Sequence, residues 1–331
     1  MEQKKKPIRA LVVTNMWPTP QRPAFGRFVY DQVQALRQIE NVDVDVFSFP
    51  GGSTGAYARA TAQARRKFRG ESFDVVHGHF GLACWPALVI NAEVHAVTLH
   101  GTDLAHPRSR ALTLAALRRF EIVGVASADL VRKVPGWALK RGRHPEVLPC
   151  GVALDRFQPF PRAEARAALR LKPDGRYLLF PADPARPEKR FDLASLLART
   201  VGAELLSLGN VAPEQVPLYV NAANAVVIPS DREGFGLACL EALACDVPVL
   251  STAHGIAPEA LAGLDGCLCA PFSLSSWRLA AEAHLVAEDP LIAGRERAER
   301  YSASAMAQRV VASWKAGLDR RKPPIYSKLA G

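Results

Sequence analysis

One segment of the chain combines two carboxylates and two glycines directly after a buried apolar run that ends at Pro229. The segment reads Glu233-Gly-Phe-Gly-Leu-Ala-Cys-Leu-Glu241. Gly234 and Gly236 lack side chains, so a ligand can approach the main chain closely. A helix predicted to begin near Gly236 would direct free N–H groups and the positive end of its dipole at an anion. The two carboxylates can accept hydrogen bonds from the hydroxyls of a polyol. A strand–turn–helix unit with a solvated Glu233 explains the same spacing.

A second candidate segment carries three cations within five residues, in the run Pro184-Ala-Arg-Pro-Glu-Lys-Arg-Phe-Asp192. It follows a predicted strand that ends near Ala182 and precedes a predicted helix. Arg186, Lys189 and Arg190 together suit a diphosphate, because guanidinium and ammonium groups both pair with phosphate oxygens. The alternative interpretation is a helix start with solvated charges.

Two further candidates are a histidine that directly follows a predicted strand and a glycine at the start of the first predicted helix. His100 follows an apolar strand in Leu99-His-Gly-Thr-Asp-Leu104, and its neutral imidazole could donate or accept a hydrogen bond at a reacting sugar. His77, His79 and His95 compete with it for such a role. Gly26 opens the first predicted helix after a proline-rich loop, which gives a second place for N–H groups to meet phosphate. The Gly-x-Gly-x-x-Gly fingerprint is absent from this loop, which disfavours a dehydrogenase.

These segments sit in an alternation of short apolar runs and longer helical patterns, which predicts a doubly wound α/β fold. The alternation stops around Pro159 and Pro161, which suggest a linker, and then restarts. We therefore expect two domains, residues 1–158 and 159–331, that face a central cleft. The last helix is expected to pack on the N-terminal domain. The predicted strands are Ile8–Thr14, Val42–Phe49, Phe73–His77, His95–Leu99, Ile122–Ala126, Glu146–Leu148, Tyr177–Pro181, Ala203–Leu208, Ala225–Pro229 and Val247–Ser251.

Composition excludes several classes of protein. With 49% hydrophobic and 22% charged residues the chain is not intrinsically disordered. Its longest nearly unbroken apolar stretch, 81–90, is half the ~20 residues that a membrane-spanning helix needs. The six cysteines form no Cys-x-x-Cys pair, which predicts reduced buried thiols, no metal site and a cytoplasmic protein.

The net charge of +10 is concentrated in the first half of the chain. Residues 1–160 hold 22 Lys and Arg against 13 Asp and Glu, whereas residues 161–331 hold 20 against 19. Such a field favours an anionic surface or ligand. Lys4–Lys6 and Arg65-Arg-Lys-Phe-Arg69 are candidate contacts with an anionic membrane, with Phe68 as an apolar anchor; a solvated charged face explains them equally well. Nucleic acid is not expected, because the basic residues are not interleaved with aromatic ones.

The ordered set of motifs resembles the family-4 glycosyltransferases of the GT-B fold. The resemblance spans nearly the whole chain. Its motifs are Phe25-Gly-Arg-Phe-Val-Tyr-Asp-Gln-Val, Phe73-Asp-Val-Val-His-Gly-His79, His100-Gly-Thr-Asp, Cys150-Gly-Val-Ala-Leu-Asp-Arg-Phe, Pro187-Glu-Lys189, Leu218-Tyr-Val-Asn-Ala-Ala-Asn-Ala225 and the segment from Glu233 to Val249.

The resemblance implies retaining transfer of a sugar from a nucleotide-diphosphate donor, which is a co-substrate, with no tightly bound cofactor and no metal site. Glu241 would hold the donor ribose. Glu233 and the amides of Phe235, Gly236 and Leu237 would hold sugar hydroxyls and phosphate. Lys189, with Arg186 or Arg190, would neutralise the departing diphosphate, His100 would contact the sugar, and Gly26 would approach the diphosphate.

Three departures from the family pattern stand out. Ala182-Asp183 occupies the place of a Gly-Arg pair that the family usually has some seven residues before its Lys-Gly. Arg186 could supply the missing guanidinium, or Lys189 could act alone. The chain between Leu208 and Leu218 is short. Asp246 replaces a glycine before the strand Val247–Ser251.

The predicted function is therefore sugar transfer to a saccharide or lipid-linked acceptor, in the synthesis of a cell-surface polysaccharide or glycolipid, at the cytoplasmic face of a membrane. Two alternatives use the same fold. A non-catalytic adaptor would bind no donor, and a sugar-nucleotide epimerase would release an altered sugar without an acceptor.

Overall fold

The computed structural model describes residues 6–286 and 291–321, which form two compact units. Unit 1 contains residues up to Pro149 together with those from Met306 onward. Unit 2 contains Cys150–Ala305. Lys4 and Lys5, two of the predicted membrane contacts, lie outside the described residues.

The boundary between the units corrects the sequence-based division, which placed residues 150–158 in the first domain. In the structure this segment belongs to unit 2. The N–H of Val152 donates to the carbonyl of Tyr301 over 2.9 Å. The Arg295 guanidinium donates to the carbonyls of Leu154 and Phe157, at 3.2 and 2.9 Å. Phe157 is also buried. Hydrogen bonds and packing thus attach a segment that the two nearby prolines had suggested to be a linker.

Unit 1 is built on a six-stranded parallel sheet with the order β2-β1-β3-β4-β5-β6. Its strands are β1 (Ile8–Thr14), β2 (Val42–Ser48), β3 (Ser72–His79), β4 (Asn91–Leu99), β5 (Ile122–Val125) and β6 (Glu146–Val147). Its first helices are α1 (Arg27–Arg37), α2 (Thr54–Lys67), α3 (Cys84–Leu88), α4 (Thr102–Ala105), α5 (Pro107–Leu117) and α6 (Ala128–Val131).

Both faces of the unit 1 sheet are covered, as the apolar strands predict. Successive side chains of a strand point to opposite faces. Val12 packs with α1 and with Trp314, whereas Leu11 and Val13 pack on the other side with α2. Trp314 lies on α14 (Ala303–Asp319), and it is fully buried in the core of unit 1.

Unit 2 is built on a five-stranded parallel sheet with the order β11-β10-β9-β7-β8. Its strands are β7 (Tyr177–Phe180), β8 (Glu204–Ser207), β9 (Ala225–Ile228), β10 (Val249–Ser251) and β11 (Leu268–Cys269). Its helices are α7 (Arg162–Ala168), α8 (Phe191–Thr200), α9 (Val216–Ala222), α10 (Leu237–Ala244), α11 (Ala257–Ala260), α12 (Leu274–Val286) and α13 (Arg295–Glu299). Trp277 of α12 is fully buried against Leu178 and Leu197.

The structure gives a physical reason for Asp246. Its backbone has a φ of 57°, in the left-handed region where glycine is favoured and where Asp is among the better tolerated side chains. Its carboxylate oxygen Oδ1 accepts the N–H groups of Gly294 and Arg295, at 3.0 and 2.7 Å, and so caps the start of α13. Two hydrogen bonds from its side chain thus stabilise Asp246 in a backbone conformation that a glycine would adopt without strain.

The expectation that Phe68 anchors the protein to a membrane is wrong. Phe68 follows α2, and it is buried in the core of unit 1. Its ring packs edge-on against Phe47 and Phe73, with centroids 5.7 Å apart in both pairs. Arg65 and Arg66 on the same helix are exposed. No helix of the described residues is both long and apolar enough to cross a bilayer.

Each sheet has one point where the strand order reverses. In unit 1 this point lies between β1 and β3, and in unit 2 between β7 and β9. In open α/β sheets, ligands bind outside the carboxyl ends of the strands at such a point. The topology therefore indicates where to look for a site in each unit.

Candidate active site

A pocket occupies the reversal point of the unit 2 sheet. It is bounded by residues at the carboxyl ends of β7 and β9, by the turn before α8 and by the start of α10. The lining residues are Phe180, Pro181, Ala182, Lys189, Val227, Ile228, Ser230, Glu233, Gly236, Leu237 and Ala238. Three polar side chains thus enter a wall that is otherwise apolar.

An ion pair joins two of those polar side chains. Lys189 Nζ lies 2.6 Å from both carboxylate oxygens of Glu233. The side chains are only 14% and 9% exposed, so water screens the pair weakly. Ser230 Oγ donates to Glu233 Oε1 over 2.8 Å, and this hydroxyl is buried. The carboxylate is therefore held by a cation and a hydroxyl before any ligand arrives.

The two loops that carry this ion pair are tied together by further bonds. The N–H of Asp231 donates to the carbonyl of Glu188 over 2.9 Å. The Arg190 guanidinium lies 3.1 Å from Asp231 and 2.8 Å from Asp192, and these carboxylates raise its pKa. Arg186 is half exposed and pairs with Glu188 at 2.7 Å. Arg190 thus links the two loops, whereas Arg186 pairs within its own loop, and neither arginine lines the pocket.

The start of α10 has the geometry that the two glycines predict. Gly236 has a φ of 88°, which strains any residue with a Cβ. Leu237 is the first residue of the helix, and its N–H has no intrahelical acceptor by helix geometry. Phe235 is buried, and its carbonyl accepts the N–H of Ile256 over 2.7 Å. Gly234 precedes it, and Glu241 lies further along α10, outside the pocket lining.

In unit 1, His100 directly follows β4, and Asp103 fixes the turn that holds it. The buried Asp103 carboxylate accepts the N–H groups of His100, Gly101 and Gly81, at 3.0, 2.8 and 3.1 Å. Burial outweighs these donors and raises the pKa of Asp103. Phe28 of α1 packs its ring 4.9 Å from the His100 imidazole. The imidazole is thus oriented by both its backbone and its neighbours.

His100 also belongs to a row of three imidazoles. Its Nε2 lies 3.1 Å from Nδ1 of His79, which ends β3 beside the reversal point. His79 in turn stacks on His77, with centroids 4.7 Å apart. Burial lowers the pKa of His79 to about 4, and it lowers the pKa values of His77 and His100 well below the usual value. All three rings are neutral at pH 7.

Gly26 is required by local packing as well as by its conformation. Its φ is 70°, and an added Cβ would lie 2.3 Å from the carbonyl carbon of Met16 and 2.7 Å from the nitrogen of Trp17. The space beside Gly26 is therefore occupied by the loop's own backbone. The helix α1 begins at the next residue, Arg27.

Comparison with known proteins finds a family that part of the chain resembles. A family model described as glycosyl transferases group 1 matches residues 186–306, which include the Lys189–Glu233 pair and all of α10. This segment of the chain is therefore similar to that family. The chain is 28% identical over 293 residues to a D-inositol 3-phosphate glycosyltransferase of Actinosynnema mirum, an alignment that covers 68% of this chain and 67% of the relative.

Two further proteins are similar to this chain. The chain is 31% identical over 210 residues to TuaC of Bacillus subtilis strain 168, a protein named as a teichuronic acid biosynthesis glycosyltransferase, covering 55% of this chain and 54% of the relative. It resembles Anabaena HepE in complex with UDP and glucose, with a TM-score of 0.69 at 14% identity, covering 93% of this chain and all of that one. The chain thus matches about half to two thirds of each curated relative.

The comparisons confirm the predicted α/β class and the GT-B fold, and the match of residues 186–306 to the glycosyl transferases group 1 model supports the predicted enzyme class. Of the predicted site residues, the structure brings Lys189, Glu233, Gly236 and Leu237 into one pocket. Gly26 and His100 lie in unit 1. The roles assigned to all of these residues remain predictions.

Sequence reasoning assigned no role to three residues that shape either the pocket of unit 2 or the row of imidazoles in unit 1. Ser230 is the second residue after β9, Asp103 is three positions beyond His100, and His79 was set aside as a competitor. The position of Asp103 in His-Gly-Thr-Asp was a usable signal, because a carboxylate there can accept the N–H groups of the turn that precedes it. The pairing of His79 with His100 had no such signal, since 21 residues separate them.

Proposed function

We propose that this glycosyltransferase moves a sugar from a nucleotide-diphosphate donor to a saccharide or lipid-linked acceptor with retention of configuration. The observation that carries the proposal is the Lys189–Glu233 ion pair in the pocket at the reversal point of the unit 2 sheet, beside the N-terminus of α10. A cation and a helix start placed together suit a group that leaves as an anion.

In the proposed reaction the bond between the sugar C1 and the diphosphate oxygen breaks, and a bond from the acceptor oxygen to C1 forms. The leaving phosphate takes the proton of the acceptor hydroxyl, so no separate general base is needed. Lys189 and the N–H groups of Gly236 and Leu237 stabilise the charge that develops on the diphosphate. The ammonium group of Lys189 acts without a guanidinium beside it, because Arg186 and Arg190 are paired outside the pocket.

The carboxylates would grip the hydroxyls of the donor. Glu233 lies in the pocket and accepts only one hydroxyl hydrogen bond from the protein, that of Ser230, among the described residues. It can therefore accept further hydrogen bonds from the transferred sugar. Glu241 would hold the ribose, Gly234 and Phe235 would shape the loop around the sugar, and His100 and Gly26 would contact the donor from unit 1. The donor is a co-substrate, and the proposal includes no resident cofactor or metal.

Unit 1 offers a place for the acceptor. A pocket at the carboxyl ends of β1 and β2 is lined by Trp17, Phe25, Phe49 and Arg22, among others. Aromatic rings suit the apolar face of a sugar, and a guanidinium suits a phosphate or carboxylate. The relatives' names, which mention inositol 3-phosphate and teichuronic acid, support an anionic saccharide or polyol acceptor. Teichuronic acid in one name also supports a role in cell-surface polysaccharide synthesis.

A thermal-shift screen with UDP-, GDP-, ADP- and TDP-sugars tests donor binding. A ligand at about 100 times its dissociation constant adds about 2.7 kcal/mol of stability. We expect one nucleotide class to raise the unfolding temperature of the wild type, and Lys189→Ala to reduce that shift. Lys172→Ala, an exposed residue of the same unit, is the matched control. Absence of any shift with all four classes would support the adaptor and overturn the proposal.

Product analysis separates a transferase from the epimerase alternative. The donor is incubated with inositol phosphate, glucose 6-phosphate and a lipid-linked saccharide as acceptors. We expect a glycosylated acceptor with the anomeric configuration of the donor, read by NMR couplings. An altered sugar released without acceptor would overturn the transfer, and an inverted anomer would overturn retention alone.

We also propose that the enzyme works in the cytoplasm at an anionic membrane surface. The exposed Arg65, Arg66 and Arg69 lie at the end of α2 and just beyond it, and each basic residue near an anionic leaflet contributes about 1 kcal/mol. Co-sedimentation with phosphatidylserine vesicles at low and high salt tests the contact. We expect binding at low salt that Arg65→Glu and Arg66→Glu weaken. Equal binding to neutral vesicles, or none to anionic ones, would overturn the proposal.

A further inference from the structure

The row of imidazoles in unit 1 contains a hydrogen bond whose direction the surroundings decide. His79 Nδ1 and His100 Nε2 lie 3.1 Å apart, and both rings are neutral at pH 7. A neutral imidazole carries one proton, on one of its two nitrogens. Because the two facing nitrogens lie at hydrogen-bond distance, one of them carries its ring's proton and donates it to the other, which carries none.

The third ring of the row has a tautomer set by its partners. Trp314 Nε1 lies 3.1 Å from Nδ1 of His77, and an indole N–H can only donate. His77 Nδ1 is therefore the acceptor, and its proton is on Nε2, which donates to Thr98 Oγ1 over 2.8 Å. His77 thus provides an internal reference of known tautomer.

The free nitrogen of His79 decides the direction of the bond to His100. His79 Nε2 is buried and has no hydrogen-bond partner among the described residues. If that nitrogen carried the proton, a buried N–H would remain unsatisfied, with the full desolvation penalty of the group. Buried donors without partners are rarer in native proteins than buried acceptors without them. The proton of His79 is therefore on Nδ1.

We infer that His79 is a positioning residue that donates its Nδ1–H to His100 Nε2 and thereby holds the proton of His100 on Nδ1. His100 Nδ1 has no hydrogen-bond partner among the described residues. His100 consequently offers its ligand a neutral N–H donor and not a basic nitrogen. This inference deepens the proposed function, on which the role of His100 at the sugar rests, whereas the tautomer itself does not depend on that function.

The direct test is NMR of the full chain labelled with 15N-histidine, in the absence of donor. Long-range 1H–15N correlations distinguish a protonated ring nitrogen from an unprotonated one. We expect His77 to carry its proton on Nε2 and His79 and His100 to carry theirs on Nδ1, with signals assigned from His77→Gln, His79→Asn and His100→Asn. A proton on Nε2 of His100 would overturn the inference even if the enzyme is active.

Two isosteric variants of His79 test the functional consequence. The side-chain amide of Asn can place an N–H near the position of Nδ1, whereas that of Gln reaches toward the position of Nε2. We expect His79→Asn to keep the tautomer of His100 and to change kcat less than about threefold. We expect His79→Gln to lose the Nδ1 tautomer of His100 and to lower kcat about tenfold, with little change in the KM of the donor.

The unfolding temperature of each variant separates positioning from folding. Equal losses of kcat in the Asn and Gln variants, with the tautomer of His100 unchanged in both, would overturn the inference. A wild type that transfers no sugar but shows the expected tautomers would overturn the proposed function and leave the hydrogen-bond assignment intact.

Discussion

The two units present opposite kinds of polar chemistry at corresponding places in their sheets. At the reversal point of unit 2, a full positive charge and a full negative charge meet in the Lys189–Glu233 pair. Beside the reversal point of unit 1, three neutral imidazoles lie in a row, and burial keeps them uncharged. The same topology thus holds a charged site in one unit and an uncharged one in the other.

The difference in charge between the two places reflects the partners that surround each side chain. Lys189 and Glu233 each have an opposite charge within hydrogen-bond distance, so their burial is compensated. Among the described residues, the hydrogen-bond partner of His79 is another imidazole, and a charge on one ring would repel a charge on the next. Burial alone therefore does not predict protonation, because the partner determines which state is stable.

The largest expected effect is the loss of the ammonium group in unit 2. Lys189→Ala should lower kcat about 10²- to 10³-fold, the loss typical of a preorganised group that stabilises a developing anion. Steady-state kinetics with the donor found by thermal shift measures it, with Lys172→Ala as the control. A change in KM with an unaltered kcat would show that Lys189 only binds the donor.

The next effect is on the pH dependence of stability in unit 1. The folded pKa of His79 is about 4 and its usual value is 6.5, so the unfolded state binds more protons between these pH values. The contribution of His79 to the free energy of unfolding is fully present above about pH 6.5. It falls by about 3 kcal/mol as the pH falls toward 4. Hydrogen exchange of β3 and β4 at pH 7 and pH 4 should show this loss in the wild type. Between the same pH values, the His79→Asn variant should lose about 3 kcal/mol less free energy of unfolding than the wild type. An equal loss in both proteins would contradict the lowered pKa of His79.

A smaller effect is expected for His100, because a neutral donor stabilises charge less than an ammonium group. His100→Phe should lower kcat about tenfold, near the upper end for one neutral hydrogen bond. Comparison with Lys189→Ala under the same conditions tests the contrast between the units. A loss of 10³-fold or more at His100 would show that this imidazole does charged or proton-transfer chemistry.

The smallest effect is expected at Arg186. Its guanidinium is half exposed and pairs with Glu188, and such surface pairs contribute at most about 1 kcal/mol. Arg186→Ala should therefore change kcat/KM less than about fivefold. A loss similar to that of Lys189→Ala would mean that Arg186 does supply the guanidinium missing from the family pattern.

Much of the fold could be read from local pattern. The strand Ile8–Thr14 has its predicted bounds, since it is a run whose own apolar spacing defines it. The strand β3 reaches His79, two residues past its predicted end, because pairing with β1 and β4 extends it. Element type followed from sequence, whereas strand length depended on neighbours.

Local pattern was misleading where a side chain's environment came from distant residues. A basic run with a phenylalanine predicted a membrane anchor, yet Phe47 and Phe73 draw Phe68 into the core. Pro159 and Pro161 predicted a linker, yet Tyr301 and Arg295 attach residues 150–158 to unit 2. In both cases the deciding contacts lie far along the chain.

The sequence by itself determined the alternating α/β architecture, the family motifs and which residue types follow each strand, because these depend on short-range periodicity and turn chemistry. Only the tertiary structure decided that Lys189 meets Glu233, 44 residues away, and that His79 meets His100. Parallel strands bring distant carboxyl ends together, and the strand order fixes which ends become neighbours. Burial created by that packing then set the protonation of each group.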